Sequence, residues 1–390
     1  MAAKFSIRTY NKISPLGLKE FDGGVYSVAE NQEDPDAIIL RSYNLHEEPI
    51  PESVVAIGRA GAGVNNIPLE AMSERGIVVF NAPGANANAV REVVVAGMLI
   101  AARNIDGAIE YTKGLSGDDI KTQVEAGKKK YAGAELRGKT LSVIGLGAIG
   151  LRVANTAIHL GMKVKGFDPS LSVHNALQLN SEVQQVTGLD EALAGSDFIT
   201  LHIPLLEVTK GLIDRSKLAL LKPTAVLLNF SRDEIADEEA VVRALEEGKL
   251  GKYVTDFPNQ TTIGKKNVIA LPHLGASTGE AEENCAVMIA HQLKDYLENG
   301  NIRNSVNLPN AGISQKTDTR LCLIHKNKPG IVADVSKVLA KHDLNIAKML
   351  NKSRDNLAYT IIDLDKEIDE KAEKSLAKLK DLISLRIVRR

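Results

Sequence analysis

Long apolar runs are missing from this chain of 390 residues. The longest mostly apolar stretch, Val93–Ala102, falls well short of the roughly 20 residues that a helix needs to span a bilayer. Cysteine is scarce: Cys285 and Cys322 are the only two, far apart in sequence. That excludes a disulfide framework and fits a reducing compartment. A surplus of either charge is missing as well, with a formal net charge of −1, which argues against a nucleic-acid scaffold or a polybasic membrane binder. There are no internal repeats and no low-complexity segments. The opening stretch MAAKFSIRTYNKIS is polar, with no apolar signal core. The expectation is a soluble cytoplasmic protein of two or three domains that acts on a small molecule, with no nucleic acid, membrane or metal among its partners.

What is present is alternation. Short β-branched runs at Ala37–Leu40, Val54–Gly58 and Ile77–Phe80 read as strands of a first unit. A second series follows at Leu141–Gly145, Lys163–Phe167, Phe198–Ile203, Ala225–Asn229, Lys252–Thr255 and Val268–Leu271. Runs apolar on both faces and separated by helical patterns are the mark of buried parallel strands. The pattern predicts an α/β protein of two doubly wound parallel-sheet domains. Long helical segments at Ala89–Arg103 and Ser277–Glu298 mark the seams. The first domain is therefore discontinuous, 1–93 plus 280–305, with the second, 94–279, inserted in it. The turn-rich residues 306–317 read as a linker. Residues 318–390 then run βαββαβ, a ferredoxin-like order.

The stretch "SVIGLGAIG" carries Gly145, Gly147 and Gly150 between a strand and a helix, and the next strand ends at Asp168, eighteen residues after Gly150. The first glycine permits the turn, the second lets backbone approach a pyrophosphate, and the third lets helix and strand pack closely. The helix N-terminus faces the phosphates with free N–H groups. A carboxylate at Asp168 accepts from both ribose hydroxyls and repels a 2′-phosphate, so a Rossmann-type unit selecting NAD over NADP is expected.

Arg232, Asp256 and His273 all fall at the carboxyl ends of predicted strands, where open parallel sheets bind ligands. An arginine clamps a carboxylate bidentately, and a histidine exchanges a hydroxyl proton near neutral pH. The set suits hydride transfer from a 2-hydroxy acid. Each residue has a plainer alternative: for Arg232 a salt bridge to Asp233 or Glu234, for His273 a turn position, for Asp256 a capping role. In the tail, His325 and Asn327 precede the first helix and Asn345 starts the next strand; side chains of these types at one rim suit an amino-acid ligand.

Taken together, "GRAGAGVNNI", "VIGLGAIG", "NFSR…DEEAV" and "PHLGAST" resemble the D-isomer-specific 2-hydroxyacid dehydrogenases, and "IHKNKPGIVADVSKVLAKHDLNIA" resembles an ACT regulatory domain. The resemblance covers nearly the whole chain. It implies a nucleotide domain inserted in a flavodoxin-like substrate domain, followed by the ACT domain. It implies Arg232 and His273 as catalytic, and NAD contacts at Gly145, Gly147, Ile149, Gly150, Asp168, Phe230, Ser231, Asp256 and Gly275. The substrate loop corresponds to Arg59–Gly63, including Gly61 and Ala62, with Arg41 on a neighbouring strand end; Arg41 and Arg59 are the cations for a phosphate. The implied reaction is oxidation of 3-phosphoglycerate to 3-phosphohydroxypyruvate, with L-serine as effector at His325, Asn327 and Asn345 and a homodimer or homotetramer as the assembly. The segment Asp118–Tyr131 is a candidate dimer arm. One departure stands out: where the family places a glutamate that orients the histidine, this chain has Thr261, with no acid in that slot. Asp256, Asp233 and Glu234 are the candidate substitutes. Another 2-hydroxy acid as substrate, or an NAD-sensing interaction protein on the same fold, are the alternatives.

Overall fold

A computed structural model describes residues 4–314 and 317–389. Gln315 and Lys316 of the expected linker lie outside the described residues. The chain forms two compact units, one of residues 1–86 with 279–390 and the other of residues 87–278.

The first unit is built on a parallel sheet of β1 (Phe5–Tyr10), β2 (Tyr26–Ala29), β3 (Ala37–Leu40), β4 (Ala56–Arg59) and β5 (Val78–Phe80), in the order β2-β1-β3-β4-β5. That is the flavodoxin-like order, with its switch point between β1 and β3. The helix Gly279–Asn299 packs on this sheet. Gly58 is small because a Cβ there would run into Ile289 and Leu293 of that helix. β1 and β2 escape a search for continuous apolar runs: FSIRTY alternates apolar and polar residues, and YSVA is a short edge strand.

The second unit holds β6 (Thr140–Ile144), β7 (Lys163–Phe167), β8 (Gln184–Gln185), β9 (Phe198–Leu201), β10 (Val226–Asn229), β11 (Lys252–Thr255) and β12 (Val268–Ala270). Their order is β12-β11-β10-β9-β6-β7-β8, all parallel. This is the dinucleotide-fold order, reversing direction between β6 and β9, where such sheets bind their ligand.

The tail is an antiparallel sheet of β13 (Thr319–Lys326), β14 (Ile346–Arg354), β15 (Leu357–Leu364) and β16 (Leu382–Arg389), ordered β14-β15-β13-β16. The helices Ile331–Lys341 and Glu370–Ala377 cover one face. The other face, with Cys322, Ile324, Tyr359, Ile361 and Val388, joins the core of the first unit. Three tail side chains satisfy carbonyls at the C-terminal end of the helix Gly279–Asn299, groups that a helix leaves unbonded. Arg386 donates to the carbonyls of Tyr296 and Leu297, Arg320 to that of Asn299 (2.7 Å), and Tyr359 to that of Gly300 (2.6 Å). Arg320 is itself held by Asp363 through two bonds of 2.6 and 3.0 Å, with both side chains fully buried. The stretch expected as a linker is packed: Leu308 and Ala311 are buried, Ile302 bridges Ala311, and Ser305 bridges Phe80.

Candidate active site

The glycine turn at the end of β6 has the shape its sequence implies. Gly145 has φ +93°, a region L side chains rarely adopt, and a Cβ there would collide with the carbonyl of His202. A Cβ on Gly150 would strike the carbonyl oxygen of Gly145. Nothing lies within 4 Å of the Cβ position at Gly147, so space is open there for a ligand's approach. The helix Gly150–His159 has Ile149 as its N-cap, with no side-chain bond to its free N–H groups. Asp168 accepts from the Leu146 N–H (2.9 Å) and from the Ser170 N–H (2.8 Å). The carboxylate therefore ties the glycine turn to the end of β7, besides being available to a ribose. His202, just after β9, is half-buried beside this turn; its Nε2 lies 2.9 Å from Thr200 Oγ1 and its enclosed Nδ1 has no partner. Burial lowers its pKa to about 3.

Arg232, Asp256 and His273 do converge. The ring of Phe257, the residue after Asp256, connects them. Its centroid lies 4.5 Å from that of the His273 imidazole, and the Arg232 guanidinium carbon lies 5.7 Å from it on a cation–π contact. Asp256 is 2% exposed, and its Oδ2 accepts from the Gly275 N–H at 3.2 Å. Its Oδ1 is buried without a partner. Burial raises its pKa, against the opposing charges of His273 and Arg232 and the bond from Gly275. Neither expected salt bridge of Arg232 forms: Glu234 pairs with Lys210 at 2.5 Å, and the Arg232 Nη1 donates to the Ser231 carbonyl.

Phe230 and Ser231 have packing and hydrogen-bonding roles of their own. Phe230 is buried against Gly97 of the helix Ala87–Arg103, and Ser231 Oγ donates to the Leu201 carbonyl at 2.6 Å. Their backbone is what they can offer a ligand. Ile149 is half-buried against the core of the second unit.

In the first unit, Arg59 ends β4 in register with Leu40, so Arg41 and Arg59 stand at adjacent strand ends. The Arg41 guanidinium is 2.5 Å from Glu282 Oε1 on the helix Gly279–Asn299. Arg59 lies across Gly61, where a Cβ would meet its guanidinium, and the Ala62 carbonyl accepts from Asn81 Nδ2 (2.6 Å). Burial pushes the Cys285 thiol up, and the neighbouring charges of Arg59 and Arg41 oppose this. The strand ends thus form a cationic floor with one acidic side chain on it.

The tail residues do not share a rim within one chain. His325 is 2% exposed, with Nδ1 2.8 Å from the Lys326 carbonyl and Nε2 2.9 Å from Thr360 Oγ1. Asn327 is exposed, and its amide donates to the Asp355 carbonyl. Asn345 is at the opposite end of the sheet, because antiparallel pairing sets Ile346 beside Leu364 and Thr319 while His325 sits beside Ala358.

Sequence reasoning missed Phe257, Glu282 and a network of the buried Glu238, Tyr253 and Asn229 with the exposed Asn259. An aromatic beside a strand-end acid was the available signal for Phe257. Among the described residues, no group of three or more His, Cys, Asp or Glu side chains is placed to hold a metal, and no helix is long and apolar enough to cross a membrane.

Residues 95–275 match the family described as D-isomer specific 2-hydroxyacid dehydrogenase, NAD binding domain, and residues 321–384 match the AHAS small subunit-like ACT domain. With the geometry above, these matches and the relatives below define the class: the chain belongs to the D-isomer-specific 2-hydroxyacid dehydrogenases, and its second unit is an NAD-binding domain. Among its relatives is the D-3-phosphoglycerate dehydrogenase of Escherichia coli, 32% identical over 376 residues, which cover 92% of this chain and 88% of that protein. The D-3-phosphoglycerate dehydrogenase of Methanocaldococcus jannaschii is 38% identical over 290 residues, 72% of this chain; the match spans about half, 53%, of that longer relative. The NAD+-bound crystal structure of 3-phosphoglycerate dehydrogenase from Entamoeba histolytica superposes with a TM-score of 0.61 at 29% identity, covering 78% of this chain and 99% of that one.

Proposed function

We propose that this chain is a phosphoglycerate dehydrogenase, which oxidises D-3-phosphoglycerate to 3-phosphohydroxypyruvate with NAD at the head of L-serine biosynthesis. The observation that carries the reading is the grouping of His273, Arg232 and Asp256 about one phenyl ring in the sheet that bears the glycine turn. The cofactor fits the residues present. Gly147 leaves room for a pyrophosphate, the uncapped helix start offers N–H groups, Asp168 faces the ribose, and the orphaned Asp256 Oδ1 calls for an N–H donor such as a carboxamide. When bound, NAD supplies the hydride acceptor.

The side chains then divide the work. Arg232 holds the substrate carboxylate, and His273 accepts the C2 hydroxyl proton as the hydride leaves. In the reverse direction the imidazolium returns that proton to the carbonyl oxygen. Arg41 and Arg59 take the phosphate, and Arg41 exchanges its Glu282 partner for it. L-serine inhibits through the tail. Because Asn327 and Asn345 stand at opposite ends of the sheet, a ligand touching both sits between the tails of two chains, which favours a homo-oligomer. A cytoplasmic location follows from the substrate and the free thiols.

The test is a panel of 2-oxo acids with NADH, read at the NADH absorbance. Phosphohydroxypyruvate should be the best substrate. Arg41→Ala and Arg59→Ala should each raise its KM at least roughly tenfold, the loss of one charge-assisted contact, and leave unphosphorylated hydroxypyruvate unchanged. Equal effects on both substrates would remove the phosphate from the assignment. Absence of turnover on the whole panel would leave only an NAD-binding scaffold.

A further inference from the structure

Histidine general acids are usually held in place by a hydrogen-bonded partner. None of the three candidate carboxylates holds His273. Glu234 is paired with Lys210, and the charge of Asp233 is felt at Glu238. Asp256 accepts from the Gly275 N–H through Oδ2, and no hydrogen bond joins its carboxylate to the imidazole. Among the described residues, the one hydrogen bond given to His273 is from Ser277 Oγ to its backbone carbonyl, at 3.3 Å. The imidazole is exposed on its loop. The imidazole contacts the Phe257 ring, at 4.5 Å between centroids and 47° between planes, and its charge is felt at the Asp256 carboxylate. The same ring carries the Arg232 guanidinium 5.7 Å away.

Phe257 is itself anchored. Its N–H donates to Thr255 Oγ1 at 3.0 Å. Two residues on, Asn259 closes a turn by accepting from the N–H groups of Thr261 and Thr262, and its amide donates to the buried Glu238. Glu238 accepts from the Tyr253 hydroxyl, which in turn accepts from Asn229 Nδ2 at 3.3 Å; that amide also reaches the Arg232 carbonyl at 2.8 Å. One polar network therefore fixes the backbone on both sides of the phenyl ring.

We infer that Phe257 is a positioning residue: its ring, in contact with both imidazole and guanidinium, sets the plane of His273 and its spacing from Arg232. A ring contact here does the work that a carboxylate does where an acid follows this strand. The inference rests on the roles of His273 and Arg232 proposed above. A displacement of about 1 Å in a catalytic group lowers the rate by roughly 100-fold.

The experiment compares Phe257→Ala, Phe257→Leu and Phe257→Tyr with the parent in steady-state reduction of phosphohydroxypyruvate, with folding checked by circular dichroism. Alanine and leucine should lower kcat roughly 10- to 100-fold with KM for NADH unchanged, and tyrosine should stay within about threefold of the parent. Leucine fills the space without a ring, so parental kcat in Phe257→Leu would overturn the inference. So would a rise in KM for NADH that matches the fall in kcat, which would place the ring in the cofactor pocket instead. His273→Ala separates the two readings: if it keeps parental activity, the assignment of the histidine fails, and with parental His273 dependence only the role of the ring is at stake.

Discussion

At the scale of single residues, the enclosed imidazole of His202 predicts an acid sensitivity of the fold. Unfolded, this imidazole protonates near 6.5; folded, burial holds that back to about 3. Between those values the unfolded chain binds the extra proton, so stability falls as pH drops through the window and is fully present above it. The contribution is on the order of 1 kcal/mol per pH unit. His202→Gln should flatten the difference in melting temperature between pH 7 and pH 4.5, measured by circular dichroism; an unchanged difference would assign the acid limb to other groups. The chemistry of the site was legible at this scale because arginine, aspartate and histidine declare their uses wherever a strand ends. The grouping about Phe257 was not, since a phenyl beside a buried strand reads as core. Nor was the separation of Asn345 from His325, which depends on a register that spacing along the chain does not encode.

At the scale of elements, the glycine turn separates packing from ligand approach. Gly150→Ala drives a methyl into the Gly145 carbonyl, a strain of roughly 1–3 kcal/mol, and should lower both the melting temperature and NAD affinity. Gly147→Ala meets open space. It should leave the melting temperature unchanged and weaken NAD binding at least roughly tenfold by calorimetry, since the pyrophosphate must approach there. Equal melting losses in both variants would show that Gly147 serves packing. Nine strands of the two parallel sheets announced themselves as mostly apolar runs, because strands covered on both faces have little polar side to show. The alternating β1, the edge strand β2 and the two-residue β8 lacked that signature. The stretch after the helix Gly279–Asn299 looked like free linker from its asparagines and glycines. Its few apolar residues, Ile302, Leu308 and Ala311, are what bury it.

At the scale of the whole molecule, the tail shares a core with the unit it follows. Removing residues 318–390 would take Cys322, Ile324, Tyr359, Ile361 and Val388 out of the shared core and strip side-chain donors from the carbonyls of Tyr296, Leu297, Asn299 and Gly300. The shortened chain should be poorly soluble or melt well below the parent; a soluble truncation with the parental melting temperature would show the contact to be dispensable. Arg320→Met should also destabilise, by about 3–5 kcal/mol, because it strands a buried Asp363. An ACT domain seated in this way is no interchangeable cassette. Grafting a foreign one onto this body would succeed only if the newcomer brought its own pair of guanidiniums and a phenol to dock on the same rod end.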